Sequence, residues 1–190
     1  TGISNQSAQY QEGNWNEAYV EQLGLFNTSE QTQIGGGNNN AYALQIGINN
    51  SSRQEQYGSL NEAYAFQLGY NNTSSQLQAG WLNDAYATQV GNNNTSTQAQ
   101  LGNFNFAYVN QDGSYNSALQ LQLGDSNTAY IHQDGSYNGA TQLQFGYSNT
   151  AIDLQYGYVN QSTVMQLGAN HSHFGLQAGA LNTMVVYQSN

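Results

Sequence analysis

Polar and apolar residues alternate along this chain in short bursts punctuated by glycine. In Asn16-Glu17-Ala18-Tyr19-Val20-Glu21-Gln22, one parity holds Asn16, Ala18, Val20 and Gln22, and the other holds Glu17, Tyr19 and Glu21. A period of two is the pattern of a β-strand with two unlike faces. The burst recurs every 11 residues, paced by Gln11, Gln22, Gln33, Gln45, Gln56, Gln67, Gln78, Gln89, Gln100, Gln111, Gln122, Gln133, Gln144, Gln155, Gln166, Gln177 and Gln188, with one 12-residue step between Gln33 and Gln45. An asparagine stands six residues before each glutamine (Asn5, Asn16, Asn61, Asn83, Asn105, Asn127, Asn149 and Asn182 among them), with His171 the exception. A glycine follows two residues after each glutamine except Gln188. The unit N-x-[AS]-x-x-x-Q-x-G-x-x predicts a seven-residue strand from Asn to Gln and a four-residue turn around Gly, repeated as 17 strands. An 11-residue period also suits a helical supercoil, but Gly, Asn-rich corners and β-branched residues in every unit oppose helix.

The charges decide which face is inside. Seven of the twelve charged residues (Glu17, Glu21, Glu30, Arg53, Glu55, Glu62, Asp84) share the parity of Tyr19, four lie in turns, and only Asp153 shares the parity of the ladder residues. The Asn/Ala/Gln face is therefore the interior. Odd units place Gln9, Gln31, Gln54 and their successors at its centre, where even units place Val20, Ala43 and Ala65. Large thus opposes small, and the full repeat is 22 residues. On the outside of the even strands runs a column of Tyr19, Tyr42, Tyr64, Tyr86, Tyr108 and Tyr130, continued by Ile152 and Phe174. The expected fold is all-β: a single-domain, two-sheet parallel β-solenoid over residues 1–190, with strand–turn–strand coils of 22 residues and about 8.5 repeats. Stacked Asn and Gln then bond their copies one layer above and below, as in cross-β assemblies.

Composition narrows the function. The net charge is −10 with a single basic residue, Arg53, which disfavours nucleic acids and anionic membranes as partners. There is no cysteine for disulfide or thiolate chemistry and no proline to interrupt strand pairing. The chain opens inside a repeat, with the character of a processed mature product. Its terminal strands, with Asn5, Ser7, Gln9 and Gln11 at one end and Asn182, Met184, Val186 and Gln188 at the other, match the interior pattern and carry none of the usual edge protections. They are the expected self-assembly surfaces. Their contact joins unlike ends and does not close, which gives a fibre. If layers alternate across the junction, successive subunits turn by about 180°, because the strand count is odd.

These residues resemble the curlin repeats of bacterial curli fibres, which follow S-x5-Q-x-G-x-x-N-x-A-x3-Q. The chain contains Gln11-x-Gly13-x-x-Asn16-x-Ala18-x3-Gln22 and Gln56-x-Gly58-x-x-Asn61-x-Ala63-x3-Gln67, and the match recurs from Gln78 to Gln89 and from Gln100 to Gln111. It departs from the family where odd units carry Asn in place of Ser. The resemblance implies a secreted, extracellular functional amyloid at the cell surface that supports biofilm matrix, adhesion and colonisation. Its implied partners are copies of itself, a nucleator subunit and an outer-membrane secretion machinery. The single basic residue, Arg53, and the regular last strand point to a major fibre subunit, with the nucleator as the alternative.

Other features have two readings each. The Tyr column either stabilises the sheet by stacking or presents aromatic faces to carbohydrate, dye or another fibril. Asp153, a lone interior acid, either bonds neighbouring amides or acts as a brake on assembly that low pH relieves. His171 and His173 share the inner face and supply only half of a tetrahedral zinc site, so they read as substitutions in the ladder, while His132 reads as outward and solvated. Gln-Asp-Gly-Ser-Tyr-Asn at 111–116 and 133–138 lacks the period of calcium-binding nonapeptides. No Ser/His/Asp set or carboxylate pair repeats with catalytic logic, so neither enzyme activity nor a cofactor or small-molecule substrate is expected. A monomeric ice- or ligand-binding solenoid is the alternative from another class. Thr28/Thr32 and Thr95/Thr97 offer hydroxyls for it, but Glu30, Arg53, Leu119 and Leu121 interrupt them.

Overall fold

The computed structural model describes residues 2–190. Two parallel sheets of nine strands each face one another, and the chain alternates between them at every unit. The result is the two-sheet β-solenoid expected from the period. Pairing is in register: Tyr42 sits on Tyr64, Gln45 on Gln67 and Gly47 on Gly69. Odd units build one sheet and even units the other, so like residues lie about 4.8 Å apart, one coil to the next. An additional short strand, Gly2–Ile3, pairs with Gly24–Leu25 and begins the even sheet. It escapes the sequence reading because it is only the tail of a unit.

The strands are longer than the expected seven residues. The strand Glu62–Tyr70, for example, begins after Asn61 and runs past Gly69. The corner lies elsewhere too. Between each strand and the next unit's asparagine stands one residue in the left-handed region, with φ between 54° and 60° at all 17 positions, and none of them is glycine. Trp15, Phe104, Tyr137 and even β-branched Val159 occupy such positions. The neighbouring glycine is required for a different reason. At Gly58 φ is 113°, and a Cβ there would overlap the carbonyl oxygen of Gly80 in the next coil. Glycine is therefore a stacking requirement, and the bend falls on the residue that projects outward and has room for a side chain.

The one 12-residue step is absorbed without loss of register. In the ten-residue strand Thr28–Gly37, Ile34 pairs with Tyr57 and Gly37 with Ser59, so Gly35 and Gly36 together oppose Gly58. This is a β-bulge, and the ladders on either side of it stay in phase.

The two corner roles make opposite predictions. Gly58→Ala is expected to lower the denaturant midpoint of unfolding, by a destabilisation on the order of 2 kcal/mol or more, because the clash is with backbone. Val159→Asn is expected to raise it, by up to about 1 kcal/mol, because Asn tolerates the left-handed region far better than a β-branched residue. Equal effects of the two substitutions would refute this division of labour.

Candidate functional site

The interior is built of amides. The paced glutamines from Gln33 through Gln177, whichever sheet they occupy, are buried, as are the corner asparagines from Asn27 through Asn160. On the odd sheet Gln33 donates from Nε2 to Oε1 of Gln56 at 2.8 Å, Gln56 to Gln78 at 2.9 Å and Gln78 to Gln100 at 3.0 Å. The same file begins at Gln11 and continues through Gln122, Gln144 and Gln166 to Gln188. On the even sheet a second file runs from Gln22 through Gln45, Gln67, Gln89, Gln111, Gln133 and Gln155 to Gln177, with every bond at 2.7–2.8 Å.

From Gln22 onward each paced Nε2 also donates across the interior. Gln56 reaches the carbonyl of Asn40 at 2.9 Å, and Gln67 that of Ser51 at 2.8 Å, both on the opposite sheet. Because a carbonyl only accepts, this contact fixes which end of the amide is nitrogen. One side chain therefore joins layer to layer and sheet to sheet. A third file, expected at the centre of the odd sheet, runs from Gln9 through Gln31, Gln54, Gln76, Gln98 and Gln120 to Gln142.

The asparagines hold the corners. Oδ1 of Asn50 accepts from the backbone N–H of Asn72 at 3.0 Å and from its Nδ2 at 3.1 Å, while Asn72 Nδ2 also donates to the carbonyl of Gly91 at 2.9 Å. The same pattern links Asn39, Asn61, Asn83, Asn105 and Asn127, and Asn149 donates its backbone N–H to Asn127. Asn16 begins this file by accepting from Asn39. The glutamine files donate toward the C-terminal coils, and the asparagine files donate toward the N-terminal ones. Their dipoles oppose.

The terminal strands join these files from one side. Asn5 Oδ1 accepts from Asn27, and Asn182 donates from Nδ2 to Asn160 at 2.8 Å. Ser7, Gln9 and Gln11 are exposed on the strand Gln6–Asn14, whereas Met184, Val186 and Gln188 are half-buried on Thr183–Ser189. Among the described residues each of these strands has one neighbour in its sheet, Thr28–Gly37 and Gln161–Ala169 respectively.

Asp153 is fully buried, and its position explains it. The central glutamine file stops at Gln142 because the next odd unit carries Val164. Asp153 takes the place of that missing acceptor: its Oδ2 receives Gln142 Nε2 at 3.0 Å, and its Oδ1 receives the Ser162 hydroxyl at 3.0 Å and faces His173 Nε2 at 3.3 Å. Burial raises its carboxyl above the ordinary value, and the three hydrogen bonds oppose that rise without cancelling it. His173 is thus a partner of Asp153. His171 does the work of an asparagine, donating its backbone N–H to Asn149 and pairing Nε2 with the carbonyl of Leu167 at 3.0 Å. His132 lies on the outer face as expected but is half-buried against Tyr156, with ring centroids 5.4 Å apart, rather than simply solvated. Among the described residues no three His, Cys, Asp or Glu side chains converge to hold a metal ion.

No family model matches the chain, and no curated protein matches it in sequence. What the site can do therefore rests on its geometry.

The outer Tyr column is present but uneven. Tyr19, Tyr42 and Tyr64 stack at 4.9 and 5.0 Å, and Tyr108 and Tyr130 at 4.8 Å. Between Tyr64 and Tyr86 the rings open to 6.4 Å and 39°, where the Tyr86 hydroxyl donates to Glu62 at 2.8 Å. Burial and that carboxylate hold the Tyr86 phenol well above its ordinary range. Sequence reasoning missed a second stack at the corners, Tyr115 on Tyr137 at 4.8 Å, and the surface amide file of Asn49, Asn71 and Asn93 beside it. Both were signalled by residues 22 apart outside the consensus positions. It also missed a column of buried hydroxyls without partners at Ser29, Ser52, Ser74 and Ser96.

The amides and these hydroxyls respond differently to substitution. Gln67→Leu orphans the Nε2 proton of Gln45 and the Oε1 of Gln89, and is expected to destabilise by more than about 2 kcal/mol in guanidinium unfolding. Ser52→Ala with Ser74→Ala removes unsatisfied groups and is expected to be neutral or stabilising by up to about 1 kcal/mol, as Ala118 and Ala140 already stand in that column. For Asp153 the sign follows from its raised pKa. The folded state binds the proton more tightly, so the destabilising charge is absent below the ordinary carboxylate range and fully present above the raised value. Asp153→Asn is expected to raise the midpoint at pH 7, and the gain is expected to shrink as pH falls into the carboxylate range. A gain independent of pH would contradict it.

Proposed function

We propose that this protein is the structural subunit of a curli-type extracellular fibre, assembled by stacking copies end to end through its amide ladders. The observation that carries this reading is the identity of successive layers. Each interior coil is bonded to the next by the same glutamine and asparagine bonds in the same direction. At the paced glutamine and corner asparagine positions, a coil from a second copy stacked in the same sense offers the same donors and acceptors as the coil of its own chain. Stacking in the reverse sense sets acceptor against acceptor, so the fibre is polar. On this reading Asn5, Ser7, Gln9 and Gln11 of one copy meet the layer of Asn182, Met184, Val186 and Gln188 of the next. The curlin-like spacing of the repeat adds secretion, cell-surface anchoring and biofilm matrix as the setting, with a nucleator subunit and secretion machinery as partners.

The test is refolding from denaturant. Fibres that bind thioflavin and give a meridional reflection at about 4.8 Å, with growth seeded by preformed fibres, are the expected result. A stable 20.7 kDa monomer on size-exclusion chromatography at micromolar concentration would overturn the proposal.

A further inference from the structure

Charge is distributed unevenly between the two outer faces. The even sheet presents Glu17, Glu21, Glu62, Asp84, Asp112 and Asp134 along its length. Apart from Asp125 at the corner end of Ser117–Asp125, the odd sheet carries its charges on its first three unit strands, as Glu12, Glu30, Arg53 and Glu55. From Thr73–Trp81 to Thr183–Ser189, six successive strands of the odd sheet carry no formal charge except at the exposed corner end of Ser117–Asp125. The one acid in this region, Asp125, stands at the corner, with its Oδ1 held by the backbone and side-chain N–H groups of Asn103 at 2.8 and 3.0 Å.

This neutral face is also divided lengthwise. One half carries hydroxyls, such as Thr141 on Thr163. The other carries two adjacent apolar columns, with Leu121 on Leu143 on Met165 beside Leu123 on Phe145 on Leu167. These side chains cover one another between layers and are half-buried, which leaves a flat apolar band with no partner in the chain.

We infer that this face of the odd sheet pairs laterally with the same face of a second copy, antiparallel, about a twofold axis running along the strand direction. Charge selects the occupant. Two chains of net charge −10 would oppose acids across their even faces or the first strands of the odd face, and here they approach without doing so. Symmetry selects the orientation. An axis along the strands keeps each apolar column over an apolar column, and it leaves the strands bearing Glu12, Glu30 and Glu55 outside the overlap. Parallel pairing would set those acids against their own copies. The area is sufficient: six strands at about 4.8 Å by seven residues at about 3.3 Å cover roughly 650 Å² per partner, close to the roughly 800 Å² of a standard interface. Packing face to face at about 10 Å is the ordinary sheet-on-sheet arrangement. The pairing does not depend on end-to-end stacking and can be read with or without it.

The test places like charges in the band. Leu121→Asp with Leu143→Asp alters only outward positions, and Thr128→Asp with Thr150→Asp adds the same charge to the even face as a control. In fibres, mass per length measured by electron microscopy is expected to correspond to two solenoids for the unmodified protein and the control, and to fall twofold for the band variant while fibres still form. If no fibres form, sedimentation is expected to give a dimer for the first two and a 20.7 kDa monomer for the band variant. That outcome rejects the fibre reading and keeps the pairing. Single-solenoid mass per length, or a monomer, for the unmodified protein overturns the pairing. So does a twofold fall in the even-face control alone, or a band variant that stays paired. Circular dichroism of the band variant separates loss of pairing from loss of fold: an unfolded variant is replaced by Leu121→Lys alone, with the same expected fall.

Discussion

The primary amide is the group on which this structure depends. A buried glutamine has two donors and an acceptor with two lone pairs, and an apolar interior offers nothing to any of them. Here the demand is met by translation. Gln67 accepts from Gln45, donates to Gln89 and donates to the backbone of Ser51, so the bonds that satisfy it also fix layer spacing and sheet separation. That solution works only if the next coil carries the same residue at the same height. The strict 22-residue repeat, the parallel register and the tolerance of a single bulge at Gly35–Gly36 all follow from this condition. A core of Ala, Val and Ile alone, such as the small cluster of Val109, Ala118, Ile131 and Ala140, imposes no comparable phase on the chain.

Translation also spreads local strain. Seventeen non-glycine residues sit in the left-handed region, and the twelve that are not asparagine each cost about 1 kcal/mol or more. An isolated corner of this kind would relax. In the stack it is held by its neighbours, because the residue after it, an asparagine everywhere but at His171, bonds its counterparts in the adjacent coils. Leu60 is followed by Asn61, which bonds Asn39 and is bonded by Asn83. The polar file therefore stabilises the backbone that positions it, and the same geometry recurs until its residues change.

Much of this was legible in the sequence because period, parity and charge are each averaged over many units. The inner face, the two sheets and the ladder glutamines come from agreement among seventeen copies of one pattern. Features that belong to one residue were less legible. The corner was assigned to glycine because glycine ordinarily marks a bend. The requirement for it at Gly58 comes from its φ of 113° together with the carbonyl of Gly80, 22 residues away, and no local rule reports that second contact. Asp153 was placed inside by parity, but its role follows from Val164 and Ser162 on the opposite sheet, where a glutamine is missing and a hydroxyl is within reach. The tilt of Tyr86 likewise depends on Glu62 in the preceding coil. In each case the deciding contact is between layers, and a single unit does not contain it.

The same translation that satisfies amides penalises charges, and this accounts for the composition. Stacked carboxylates would stand about 4.8 Å apart, where each added layer adds repulsion and none supplies a counter-ion. No outer column carries acids in more than two successive layers: Glu62 lies on Asp84 between Asn40 and Phe106, and Asp112 on Asp134 between Val90 and Tyr156. Glu30 is followed by Arg53, which bonds it at 3.7 Å. Inside, a carboxylate in place of a glutamine would lack the donor that the next layer needs, so it can end a file but not extend one. Asp153 stands where the central file ends. Asparagine and glutamine are the uncharged counterparts of Asp and Glu that can both give and accept, and only such groups can repeat without limit along a parallel stack.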